Sequence, residues 1–110
     1  LVRETIQEVL DTRDEYLEER EASNAIAAVE VIARLKGNFG VRDSYSADTD
    51  AWVAAHPQQP TQDLVELATL ALDRILVKPS ELLDMWEDSG LADAWKRSVL
   101  DLKDRANKLT

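Results

Sequence analysis

The side chains in this sequence that can do chemistry are carboxylates, one imidazole and little else. Glu30 with Glu66 or Asp73 would supply a general acid and base if two helices brought them together. Asp84, Glu87 and Asp88 crowd oxygen donors that suit a hard cation, but Ca²⁺ takes about 6–8 convergent oxygens and no EF-hand spacing surrounds them. His56 precedes Pro57 in a stretch that reads as a loop, with no cysteine and no second histidine to complete a transition-metal site. A glycine-rich phosphate loop and a G-x-S-x-G turn are both missing from a chain with 3 glycines in all. No catalytic residue, metal or cofactor is therefore expected. The acids read as solvated helix termini and helical ion pairs, with Glu30 the i,i+4 partner of Arg34 in a contact worth about 0.2–0.5 kcal/mol.

Charge narrows the range of partners. The formal net charge is −9, and it is unevenly spread. Acids outnumber Arg3, Arg13 and Arg20 in the first 21 residues, no Lys or Arg occurs from Asp43 to Asp73, and none occurs from Glu81 to Trp95. Lys96, Arg97, Lys103, Arg105 and Lys108 reverse the balance at the end of the chain. Nucleic-acid binding needs cations to replace condensed counterions, and an acidic membrane surface would repel such a chain, so neither is an expected partner. A basic protein surface fits the field, although acidity also serves solubility alone.

The elements that must position these residues are helical throughout. Val2, Ile6, Val9 and Leu10 follow three-and-four spacing in a first helix, and 13–19 either continues it or links it to the next. From Glu18 to Lys36 the apolar arc of Ala22, Ala25, Ile26, Val29, Ile32 and Ala33 spreads past half the circumference, which predicts a central helix with Ser23, Ala27, Glu30 and Arg34 as its solvent strip. Gly37 ends it as a left-handed cap. Residues 38–61 are rich in turn formers, with a short helix over 50–55 capped by Asp48 or Thr49 and packed onto the bundle by Trp52. Thr61 opens a clean helix through Leu76 that Lys78-Pro79 stops. The stretch from Ser80 to Arg105 holds two of the 3 tryptophans: a short helix from Ser80 to Glu87, the turn Asp88-Ser89-Gly90, and a last helix from Leu91 to Lys108. Leu91, Trp95, Val99, Leu102, Ala106 and Leu109 are expected to face inward on that last helix, with Trp86 packed nearby.

The expected fold is all-α: a compact single domain over residues 1–110 with about five helices, three long and one or two short, and an irregular loop near 38–61. With 45% hydrophobic residues the chain can build a core. It has no cysteine, no apolar run of the roughly 20 residues that span a bilayer, and no signal-peptide pattern at its start, so a soluble cytoplasmic protein is expected.

The alanine-rich helix from Glu21 to Ala33, the leucine-alanine helix after it, Ser80-Glu81-Leu82-Leu83-Asp84-Met85-Trp86, and Trp95 followed by Leu100-Asp101-Leu102 together resemble an uncharacterised bacterial family, domain of unknown function 4259. The resemblance covers the chain from about Glu18 onward. It implies a small bacterial helical domain and brings no activity or catalytic residues. It also implies a short Gly/Trp/Asn/Asp-rich segment before the first helix, which is not in this sequence.

Function is thus sought in binding. The leading expectation is a small acidic protein-binding domain of the immunity or antitoxin kind, which neutralises a bacterial toxin by covering its active or basic surface. Acids Asp48, Asp50, Asp84, Glu87 and Asp88 would meet lysines and arginines, with Tyr45 and Trp52 as apolar anchors beside Trp86. The alternative is a structural or scaffolding domain acting through self-association, as a homodimer through one helix face.

Overall fold

The computed structural model describes residues 2–40, 46–56 and 58–108. Six helices occupy them: α1 (Val2–Asp11), α2 (Glu19–Leu35), α3 (Ala47–Ala55), α4 (Gln62–Ile75), α5 (Glu81–Ser89) and α6 (Ala92–Asn107). The all-α expectation holds, and α2, α4 and α6 are its three long helices. Short helices number three instead of one or two, because α1 stops at Asp11. Arg13 adopts a left-handed φ of 53°, and Leu17 is extended: its N–H donates to the Pro79 carbonyl (3.1 Å) and its carbonyl accepts from the Glu81 N–H (2.8 Å). The 13–18 run is therefore a connection, tied by an isolated bridge to the start of α5.

Helix α2 touches every other helix. Its Ala22, Ala25, Val29, Ile32 and Ala33 are fully buried. Around them lie Ile6 and Val9 of α1, Ala68, Ala71, Leu72 and Ile75 of α4, and Val99, Leu102 and Ala106 of α6. Short alanine side chains on α2, α4 and α6 bring the helix axes close, which is why so small a chain can surround a central helix.

Local signals at the helix ends account for the element boundaries. Thr61 Oγ1 accepts from the Leu64 N–H, and Ser80 Oγ, fully buried, accepts from the Leu83 N–H. Gly37 and Gly90 sit at φ 85° and 80°, and the following residues close the motif: Asn38 N–H donates to Ala33 and Leu91 N–H to Trp86. Helix α5 runs two residues past Glu87 for this reason. Helix α3 begins at Ala47, ahead of the expected Asp48 or Thr49 cap, and the Ser46 hydroxyl donates to Asp50 (2.9 Å) instead of capping.

Arg74 clamps the two connections at one end of the bundle. Its guanidinium donates to the carbonyls of Arg13 (2.7 Å), Glu15 (2.7 Å), Val77 (3.1 Å) and Pro79 (2.9 Å). Beside it the Glu81 carboxylate accepts from the Glu19 N–H (2.7 Å), so α5 caps the exposed donors at the start of α2.

Several expectations are corrected by packing. Glu30 and Arg34 lie in the predicted solvent strip of α2, but Arg34 is 5% exposed. Glu30 accepts from Arg34 Nε (2.9 Å) and, through both oxygens, from Arg105 of α6 (2.8 and 2.9 Å), while Arg34 also pairs with Asp50 of α3. The strip is covered because α3 and the end of α6 dock across it with opposite charges. Leu91, expected inward, is 55% exposed, because the chain turns at Gly90 before α6 begins. Trp52 is 46% exposed; Val53 is the residue of α3 that is buried. Leu109 and Tyr45 lie outside the described residues.

Candidate functional site

An open, apolar groove of about 520 Å³ lies between α2, α5 and α6. Ile26 of α2, Leu82, Met85 and Trp86 of α5, and Trp95 of α6 line it. Each arrives by ordinary helical spacing: Leu82, Met85, Trp86 and Ser89 recur at three-and-four intervals on α5, and Glu19, Ser23 and Ile26 do so on α2. The indoles of Trp86 and Trp95 stack with centroids 6.2 Å apart and planes 10° from parallel. Trp95 is buried and forms the floor, Trp86 is half-buried, and Met85 is 52% exposed. The two hydroxyls of the groove donate within their own helices: Ser23 Oγ to Glu19 and Ser89 Oγ to the Trp86 carbonyl.

The expected acids divide into two groups. Asp84, Glu87 and Asp88 stand together on α5, the element that carries Met85 and Trp86. The stretch from Glu81 to Trp95 has no cation of its own, but Lys78 folds back from the preceding turn to Glu87 (3.1 Å) and reaches Asp84 at 4.0 Å. The hydrogen bond and charge of Glu87, then the charges of Asp84 and Asp88, hold Lys78 above its ordinary value. Asp88 is exposed, three residues from Met85. Asp48 and Asp50 belong to α3, where Asp48 is exposed and Asp50 is drawn inward by Arg34 and the Ser46 hydroxyl. The α5 acids thus share a helix with Trp86, with Asp88 the nearest of them in spacing to Met85, whereas Asp48 and Trp52 stand on α3.

Trp52 stacks on His56 (4.3 Å, 18°), and the His56 ring nitrogen lies 2.8 Å from the Trp52 carbonyl. Together they border a second concavity of about 360 Å³ beside Leu35, Pro60 and Leu64. A third, polar one gathers Glu8, Asp11, Glu15, Glu18 and Glu21 with Arg20 where α1 meets α2.

Two of the three residues suggested for acid–base work, Glu30 and Asp73, are held by structural partners. Burial pushes the Glu30 carboxyl upward, but the hydrogen bonds and charges of Arg105, then Arg34, outweigh it and hold Glu30 below its ordinary value. Asp73 accepts from Lys103 of α6 (2.9 Å). Among the described residues no group of three or more His, Cys, Asp or Glu is placed to hold a metal ion, and no helix is long and apolar enough to cross a membrane.

Sequence reasoning did not single out Met85, Leu82 or Ile26 as site residues. Their signal was an excess: α5 carries more apolar residues than one narrow inward face of a nine-residue helix requires.

Fold and surface together define a small all-helical domain with an apolar groove beside an acidic helix. The family model for Domain of unknown function (DUF4259) matches residues 1–98, and the chain belongs to that family. The match takes in α1, which the resemblance from Glu18 onward left out, and ends at Ser98 within α6, short of Leu100-Asp101-Leu102. No curated protein and no solved structure matches the chain.

Proposed function

We propose that this chain is a protein-binding domain that covers a basic surface of its partner, in the manner of an immunity protein or antitoxin. One observation carries the reading: on α5 the exposed Asp88 stands three residues from the half-exposed Met85, next to Trp86, while Lys78, the cation that folds onto this helix, is engaged by Glu87 and Asp84. Charge of one sign beside an apolar anchor is the combination that steers an oppositely charged protein and then holds it. The net charge of −9 gives the molecule an acidic field at long range, with the basic end of the chain as its exception. Occlusion needs no reacting group on this chain, only a surface that matches a lysine- and arginine-bearing one and excludes water from it.

The test is parallel affinity capture from cells of the source organism, using the wild-type chain and a Glu87→Lys/Asp88→Lys variant, each at low and high salt. The reading expects a protein of basic surface enriched by wild type at low salt, depleted at high salt and depleted by the variant. Recovery of the same proteins by both forms at both salts would refute it. For the immunity reading in particular, expression of that partner alone should arrest growth and co-expression of this chain should restore it; a partner without effect on growth removes the immunity role and leaves the binding role.

A further inference from the structure

We infer that the groove between α2, α5 and α6 receives an amphipathic helix of the partner, with apolar residues on the face that enters and lysine or arginine on its flanks. The inference rests on the protein-binding reading and adds the site and the form of the ligand.

Three features carry it. The first is what the groove offers a visiting backbone. Ser23 and Ser89 donate their hydroxyl protons within their own helices, and among the described residues there is no sheet edge to extend, since the Leu17–Ser80 bridge is isolated. An extended segment would meet a wall poor in partners for its own N–H and C=O groups, whereas a helix arrives with its backbone already paired. The second is the lining. Ile26, Leu82, Met85, Trp86 and Trp95 present an apolar trough of about 520 Å³ walled by helices, and Met85 is a flexible side chain that adapts to the knobs of an incoming helix. The third is charge. Glu19 lines the trough and Asp88 stands exposed three residues from Met85, while Lys78 is engaged by Glu87 and Asp84, so flanking lysines or arginines are attracted and flanking acids repelled. A second copy of this chain, at −9 overall, is disfavoured by net repulsion.

The test uses three synthetic peptides of about 16 residues, long enough to form a helix on binding. One has leucines on one helical face and lysines on the other, the second has the same composition in scrambled order, and the third has glutamate in place of lysine. Binding is followed by the NMR signals of the Met85 methyl and the Trp86 and Trp95 indoles. The expected result is saturable binding of the first peptide, with shifts at these three residues, weakened about tenfold by Met85→Lys and by Asp88→Lys. Both substituted residues are exposed, so the fold is retained. Equal binding of the scrambled peptide, or no binding of any peptide, overturns the helix assignment. Shifts confined to the acidic concavity around Glu8, Glu15 and Glu21 overturn the groove while leaving a basic partner in place. Preference for the glutamate peptide keeps the groove and overturns the basic partner. A concentration-dependent dimer in sedimentation that Met85→Lys abolishes makes a second copy the occupant, and overturns the proposal.

Discussion

Glu30 of α2 and Arg105 of α6 meet as a two-bonded pair, at 2.8 and 2.9 Å, across 75 residues of sequence. The Arg105 guanidinium also rests on Gly40, where a Cβ would come within 2.9 Å of it, and donates to Asp101 (2.9 Å). The pair therefore joins the centre of the bundle to its last helix and to the chain leaving α2. Arg34 extends it to Asp50, so α3 is held by the same cluster of charges.

A pH dependence follows. Glu30 is held below its ordinary value of 4.5 in the folded chain, so its contribution to stability is complete above that value and is lost as pH falls through the lower, folded one. Glu30→Gln should cost about 1–3 kcal/mol near neutral pH. Urea unfolding at a series of pH values should show wild type and variant converging as the solution is acidified below about 4. A difference that stayed constant down to pH 3 would mean that Glu30 contributes by packing alone.

Arg74 should be the residue whose loss loosens two connections at once. Arg74→Met keeps the aliphatic stem but abandons the carbonyls of Arg13, Glu15, Val77 and Pro79, at a cost of about 1–3 kcal/mol. Hydrogen exchange at the Leu17 and Glu81 amides, which form the adjoining bridge, should accelerate more than at Ile32 in the core. Arg74→Lys should recover little, because one ammonium cannot span the positions a planar guanidinium reaches. Uniform acceleration across the chain would show that the clamp acts only through global stability.

Trp95 and Trp52 should separate sharply. Trp95→Ala removes a side chain that is 8% exposed and should cost about 3–5 kcal/mol, whereas Trp52→Ala removes one that is 46% exposed and should cost about 1 kcal/mol or less. Equal losses in denaturant unfolding would place Trp52 in the cooperative core.

The same contrast shows what was legible. Trp95, Val99, Leu102 and Ala106 were readable because periodic apolar residues report burial directly, and Thr61, Ser80, Gly37 and Gly90 because capping chemistry is local. The pair of Arg34 with Glu30 was readable from its i,i+4 spacing, but their burial was not: charged residues on a helix look solvent-exposed unless distant partners, here Asp50 and Arg105, are already known. Trp52 misled for the opposite reason, since one indole in a short helix carries no period, and Val53 beside it took the inward position. The acids at Asp84, Glu87 and Asp88 were visible as composition, but Lys78 folding onto two of them and Met85 standing beside the third are properties of the turn and of α5 in place.

The two exposed acids Asp48 and Asp88 offer a last test, because one charge change should act on stability with opposite signs. Asp48 lies in the first turn of α3, where partial positive charge on the free N–H groups favours an acid, so Asp48→Lys should destabilise by about 0.3–1 kcal/mol. Asp88 lies at the end of α5, where the free carbonyls disfavour it, and Asp88→Lys should stabilise by a similar amount, reduced slightly by the lost attraction to Lys78. Both effects should shrink in high salt. Thermal unfolding of the two variants at low ionic strength should therefore move Tm in opposite directions. Asp88→Lys would then weaken peptide binding while raising Tm, a separation that unfolding cannot mimic and that assigns the loss to the groove. A fall in Tm for Asp88→Lys would mean that its attraction to Lys78 outweighs the helix end, and would return Asp88 to a structural role.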